Sequence, residues 1–411
     1  MAEVHHDESF HTPLYLRGAQ TMIRILLLII CLTGSGCVLD VKSENRPPEN
    51  QISWEYQQPE QVDDGWETSS LDSVGLDPDH FVTLMNTLHG WTDHLVHGIL
   101  VIRHGKLVFE EYFDGLTHPT WGETPVTFNR DRLHVLSSVT KSFTSALLGV
   151  AINRSMISSA DDSVFDFYPE LAHLSTGQKQ DISLRHLVTM SSGLEWDEWT
   201  LPLTDPNNDL TSYLNLALNT TEDLVAHVLG LNLVAIPGTV FTYSGGNCNV
   251  LGNAIQRASG MRLDAFAREY LFEPLGIEES WWWIWRPDFV YCSGDLALRP
   301  RDMARFGQLF LQNGSWNGEQ IISEEWVARS AMPIFFFDHE RHRGYSHGWW
   351  PCTTSYGQGA YSASGWGGQD IFILPEHDML VIFTGGGYWE DQPLTTHEMM
   401  VDYILPAIRP E

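Results

Sequence analysis

The sequence predicts an α+β fold (an α/β sandwich) in which both ends of the chain build one antiparallel sheet around a mostly helical insertion. Three observations carry this: a β-rich hairpin pattern near residue 100, a second near residue 375, and helical segments with long loops between them. The chain is long enough for a substantial core, with 411 residues of which 43% are hydrophobic and 12% aromatic, which excludes disorder as its main description. Lys and Arg number 23 against 53 Asp and Glu, a formal charge of −30 with no basic stripe, so nucleic-acid binding is excluded as a function class.

Taken in order, the first element is Ile25 to Leu32, an apolar run after Arg24 and before Thr33-Gly34-Ser35-Gly36-Cys37. That order is the signature of a secretory signal, and the run is short for a membrane span. Residues 1–37 are therefore expected to be a signal peptide, with Met22 as its candidate start. The small residues before Cys37 resemble a bacterial lipoprotein processing site; plain cleavage and an uncleaved anchor are the alternatives. The expected location is exported, periplasmic or cell envelope, with a membrane tether through lipidated Cys37. Residues 38–74, polar and with Pro47, Pro48 and Pro59, read as a linker, and 75–411 as the folded domain.

His97 to Ile102 and Lys106 to Phe113 form the first hairpin, turning at Arg103-His104-Gly105; Gln369 to Leu374 and Met379 to Thr384 form the second, turning over 375–378. Helical segments are read at 184–188, 221–230, 249–259, 301–313 and 397–408. Such an interruption makes two lobes and a cleft between them. Cys248, Cys292 and Cys352 lack metal-site spacing, allow at most one disulfide among themselves, and are read as buried free thiols.

The chemistry concentrates at Ser138-Val139-Thr140-Lys141, which opens an apolar run with Phe143, Ala146, Leu147 and Val150 at helical spacing. Three residues is nearly one turn, so Lys141 shares a face with Ser138 and its amine reaches the hydroxyl. A serine hydroxyl needs a base to become a nucleophile, and the helix N-terminus adds an N–H for an oxyanion. The pattern is short, and a helix cap followed by a surface lysine would also produce it. Only four lysines occur, Lys42, Lys106, Lys141 and Lys179, and Lys141 alone has a serine three positions before it.

With these residues the chain resembles the class C-like β-lactamase-related serine hydrolases of the penicillin-recognising superfamily, which include esterases, amidases, D-amino-acid peptidases and 6-aminohexanoate-dimer hydrolases. The resemblance covers most of 75–405 and rests on Ser137 to Phe143, Leu187 to Leu194, Pro237 to Asn247, Phe272 to Ile277, Pro300 to Gly307 and Gly365 to Gln369, in the family order. It implies a β-lactamase/penicillin-binding-protein-like fold and an acyl-enzyme mechanism. Ser138 attacks a carbonyl, Lys141 accepts or relays the proton, Tyr243 acts as base, and the N–H groups of Ser138 and Trp366 form the oxyanion hole. Gly365, Gly367 and Asn247 are the substrate-binding candidates. No cofactor or metal is implied.

Two departures bear on substrate. The second motif is usually Tyr-x-Asn, whereas here Tyr243-Ser244-Gly245 stands there with Asn247 two residues on. The third motif usually begins with Lys or His, whereas here Ala363-Ser364-Gly365 does, and no lysine follows residue 179; nothing in the sequence puts Arg341 or Arg343 in its place. An expected small-molecule ester or short amide substrate follows from that loss. A β-lactamase or D-Ala peptidase is the alternative within the chemistry, and a catalytically silent envelope binding lipoprotein the alternative outside it. The Trp281-Trp282-Trp283-Ile284-Trp285 run reads either as an acyl-pocket lining or as packing between lobes.

Overall fold

The computed structural model describes residues 54–410, with 92, 287–288 and 390–392 excepted. The expected signal segment, Cys37 and the first part of the linker lie outside the described residues. Among the described residues no helix is long and apolar enough to cross a membrane.

The core of the architecture is a seven-stranded sheet. Its strands are β1 (Glu67–Thr68), β2 (Val96–Arg103), β3 (Lys106–Tyr112), β4 (Trp350–Pro351), β5 (Tyr361–Gly365), β6 (Gln369–Leu374) and β7 (Met379–Gly385), in the spatial order β1-β3-β2-β7-β6-β5-β4. Every pairing is antiparallel except β1 with β3. Both hairpins form as expected, and the junction of the two termini is the β2–β7 pair, in which Val101 faces Val381. At the first turn His104 (φ 53°) and Gly105 (φ 72°) both adopt the left-handed backbone, the requirement of a two-residue turn that matches strand twist.

The strands read as unbroken apolar runs because both faces are covered. Ile99, Val101, Phe372 and Val381 point to one side, into a core shared with α1 (Pro78–Gly90) and the C-terminal helical stretch from Thr396 to Ala407. Leu100, Ile102, Ile371 and Leu380 point to the other, into the larger core of the helical insertion. That insertion runs between β3 and β4 and holds α2 (Thr140–Asn153), α3 (Leu184–Val188), α4 (Asp209–Asn219), α5 (Leu224–Gly230), α6 (Gly245–Ser259) and α7 (Pro300–Leu311). Helix α7 lies flat on the sheet: a Cβ at Gly307 would sit 3.1 Å from Ile371 Cγ2. Helix α2 is buried on every side from Thr140 to Ala151, which explains its nearly continuous apolar and small-residue sequence.

The end of the expected linker is corrected. From residue 54 onward the chain packs on the domain: Trp54 lies against Phe109, the Tyr56 hydroxyl donates to the Val108 carbonyl (2.8 Å), Trp66 is buried, and β1 extends the sheet. These aromatic residues are not spaced periodically, so the segment reads as polar linker until its partners are seen. All three described cysteines are buried and free, as expected.

Candidate active site

Ser138 sits in a turn of 3₁₀-helix, Ser137–Val139, that leads directly into α2. The residue before it, Ser137, has φ 47°, a strained value for a side-chain-bearing residue that marks a forced turn into the helix. A short strand, His134–Val135, pairs with Leu296–Leu298 and anchors the entry. The turn before Leu296 is stitched along α2: Thr144 Oγ1 donates to the Cys292 carbonyl (2.8 Å), Lys141 Nζ to the Ser293 carbonyl (2.8 Å), and the Leu296 N–H to Thr140 Oγ1 (3.2 Å).

Lys141 Nζ also donates to Ser138 Oγ (3.0 Å) and stands 4.7 Å from the centre of the Tyr243 ring. The Tyr243 hydroxyl is in hydrogen-bond contact with both Ser138 and Lys141. Ser138, Lys141 and Tyr243 are thus brought together. Tyr243 comes from the loop before α6, whose N-cap is Ser244, and its ring is stacked on Trp199 (5.0 Å) and Trp350 (5.8 Å). Burial alone presses the Lys141 ammonium toward losing its proton, but the negative character of Tyr243, Glu198 and Cys248 outweighs it and holds its pKa above the ordinary value. Burial raises the Tyr243 pKa, and the Lys141 charge offsets only part of that. Both shifts run upward, so the pair holds its protons tightly and must release one before it can serve as a base toward Ser138.

The C-terminal end of β5 packs onto this turn. A Cβ on Gly365 would lie 2.4 Å from the Leu136 carbonyl oxygen and 3.1 Å from the Ser138 nitrogen, so only glycine lets the strand approach so closely. Trp366 follows at the strand tip, and its indole packs against His118, Tyr388 and Trp389. Gly367 has φ 91° with Tyr388 Cε1 2.3 Å from a would-be Cβ, so its glycine serves backbone fit.

Asn247 is not brought to the cluster. It is buried one turn into α6, where its Oδ1 accepts from Ser192 Oγ (3.0 Å). Arg341 does reach the third motif, donating to Ser364 Oγ (3.0 Å), but the same guanidinium is paired with Asp370 and bonded to Thr396. Ala363 is buried in the core, so the strand offers no cation of its own. The tryptophan run divides its work: Trp282 is buried and donates to the Tyr291 carbonyl (2.7 Å), whereas Trp281 packs edge-on against Trp121 and stays partly exposed.

Two acids near the site went unremarked in the sequence. Glu198 is buried, accepts from Trp196 Nε1 (2.7 Å) and the Gly245 N–H (2.8 Å), and has its pKa raised by burial against the pull of Lys141. Asp295 has φ 59°, accepts from Thr120 Oγ1 (3.2 Å), and is pushed by burial up to about 7. Glu198 follows Leu194 by four residues, but Glu195, Asp197 and Glu198 stand together and spacing alone did not choose among them.

A family model described as Beta-lactamase matches residues 93–391. The 6-aminohexanoate-dimer hydrolase of Paenarthrobacter ureafaciens is 26% identical over 313 residues, covering 72% of this chain and 74% of that protein. The β-lactamase of Escherichia coli (strain K12) is 28% identical over 168 residues, 39% of each. Among solved structures, a family VIII carboxylesterase superposes with TM-score 0.61 at 16% identity, covering 84% of this chain and 99% of that one. A Bacillus anthracis protein assigned as a 6-aminohexanoate-dimer hydrolase does so with TM-score 0.61 at 21% identity, covering 88% of each. The matched stretch includes Ser138, Lys141, Tyr243 and the β5 tip, and the chain belongs to the Beta-lactamase family, within the penicillin-recognising serine hydrolase superfamily.

Proposed function

We propose that the protein is a serine hydrolase that cleaves a carboxylic ester or short amide through an acyl-enzyme on Ser138. The observation that carries this is the 3.0 Å bond from Lys141 to Ser138 with the Tyr243 hydroxyl on the same two groups. Once the Lys141–Tyr243 pair has given up one proton to solvent, Ser138 Oγ attacks the substrate carbonyl carbon as its own proton passes to that pair. The negative oxygen is held by the N–H groups of Ser138 and Trp366. Collapse breaks the bond to the leaving alcohol or amine, which takes that proton. Water, deprotonated by Tyr243, then attacks the ester and releases the acid, and Ser138 regains its proton.

A β-lactam or peptide carboxylate calls for a free cation at the third motif. Ala363 is apolar and Arg341 is neutralised by Asp370, which supports an ester or short amide over a β-lactam. Aromatic walls from Trp199, Trp350 and Trp366 fit an apolar acyl or alcohol part. The carboxylesterase and dimer-hydrolase names among the relatives agree with this choice. Export and a lipid tether at Cys37 belong to the same proposal on the sequence of residues 22–37.

The test is fluorophosphonate labelling with turnover of a panel of chromogenic acyl esters. One adduct on Ser138, lost with turnover in Ser138→Ala, is the expected result. No adduct and no hydrolysis across the panel leaves the fold as a silent binding module. Nitrocefin turnover that vanishes in Ser138→Ala overturns the substrate choice.

A further inference from the structure

The Gly245 of the second motif creates a question of space. A Cβ placed there would lie 3.3 Å from Glu198 Oε2, 3.1 Å from Ser293 Oγ and 2.8 Å from Leu210 Cδ1. The Gly245 N–H donates to that same Glu198 oxygen. The volume that a side chain at 245 would enter is therefore bordered by a carboxyl group that arrives from a different segment, the loop between α3 and α4, and by Ser293, whose carbonyl accepts from Lys141 Nζ at 2.8 Å. Trp196 Nε1 fixes that carboxyl from the other side, and Glu198 is 8% exposed, so the group has one orientation and little water.

We propose that Glu198 is a positioning residue, the buried counter-charge that determines which protons Lys141 and Tyr243 hold when Ser138 is attacked. This rests on the serine-hydrolase reading above. Glu198 is joined to Tyr243 through the Gly245 N–H two residues on and to Lys141 through Ser293, and the charges of the three groups act on one another. A negative Glu198 favours the protonated form of both Lys141 and Tyr243, in the direction of the shifts seen at both. It thereby lets a buried ammonium persist next to the serine, at the cost of placing the base form of the pair at higher pH. The other titratable groups facing the cluster are Cys248 on α6, Asp209 on α4, Asp295 at the end of the 292–295 turn and Tyr345 on the wall behind Tyr243. None of them shares the Gly245 and Trp196 bonds.

The sign of the test follows. Glu198→Gln keeps an oxygen acceptor for Trp196 and Gly245 and removes only the charge, so the pKa values of Lys141 and Tyr243 fall and the base form appears at lower pH. The rate of Ser138 phosphonylation by a fluorophosphonate is measured against pH in the full chain, with hydrolysis of an acetyl ester alongside. The acidic limb is expected to move down by about one unit or more in Glu198→Gln. In Glu198→Ala the limb should move the same way, with a further loss of rate as Tyr243 and α6 lose their support. Should Glu198→Ala fail to fold, the Gln variant with an unchanged melting temperature still decides. Wild-type labelling with an acidic limb that stays in place in Glu198→Gln overturns the proposal while leaving Ser138 as the nucleophile. Absence of labelling in the wild type overturns both.

Discussion

At the residue scale, Gly365 fixes how near the sheet comes to Ser138. Adding one methyl there drives a Cβ into the Leu136 carbonyl oxygen at 2.4 Å, and the strand tip carrying the Trp366 N–H must retreat. Gly365→Ala is therefore expected to fold and to lose roughly 10²-fold or more in kcat with little change in KM, the loss typical of one oxyanion donor; steady-state kinetics on an acetyl ester checks it. Asp295 predicts a pH effect on stability. Its folded pKa of about 7 lies above the ordinary 3.8, so the folded state keeps a proton that the unfolded chain gives up, and stability falls as pH rises from about 4 to about 7. Asp295→Asn should match the wild type near pH 4 and melt at higher temperature above pH 7, as thermal unfolding across that range would show. Ser138 and Lys141 were legible because their relation is local, one turn of one helix. Glu198, Asp295 and the Ser293 carbonyl reach the same spot from other segments, and no spacing in the chain records that.

At the element scale, the hairpins were legible because period and turn chemistry agree, down to the two positive-φ residues at 104 and 105. Helix α6 was read from Asn249 but starts at Gly245, since two consecutive glycines look like breakers. Here both are needed for space: a Cβ at Gly246 would strike the Trp196 ring at 2.8 Å. The entry segment before α1 was missed for a related reason, that its partners are distant in sequence. Arg301, at the start of α7, pairs with Asp64 in that segment and with Glu110 on β3, and its side chain is 4% exposed. Removing it leaves Glu110 buried without its partner. Arg301→Ala is expected to cost on the order of 3–5 kcal/mol, measured by urea denaturation, and to detach residues 54–68, measured as new proteolytic cutting there.

At the scale of the whole molecule, one sheet shared by the two termini around a helical insertion was legible from the order of elements alone, because strands at both ends of a chain with helices between them have one economical arrangement. The surroundings of Ser138 were not. The aromatic stacking on Tyr243 draws on Trp199 and Trp350, which lie in segments far apart in the chain, and the cancelled charge of Arg341 depends on Asp370 across a hairpin. The formal charge of −30 speaks to solubility and to the partners it repels.

The junction of the termini also governs when the molecule can exist. Strand β2 finds its central neighbour only in β7, where Arg103 pairs with Met379 and Val101 with Val381. During synthesis the first hairpin emerges with one edge bare and waits for nearly the whole chain before that edge is filled. Premature release or a truncation before residue 379 leaves two apolar sheet faces without their centre, so the chain cannot store a finished half.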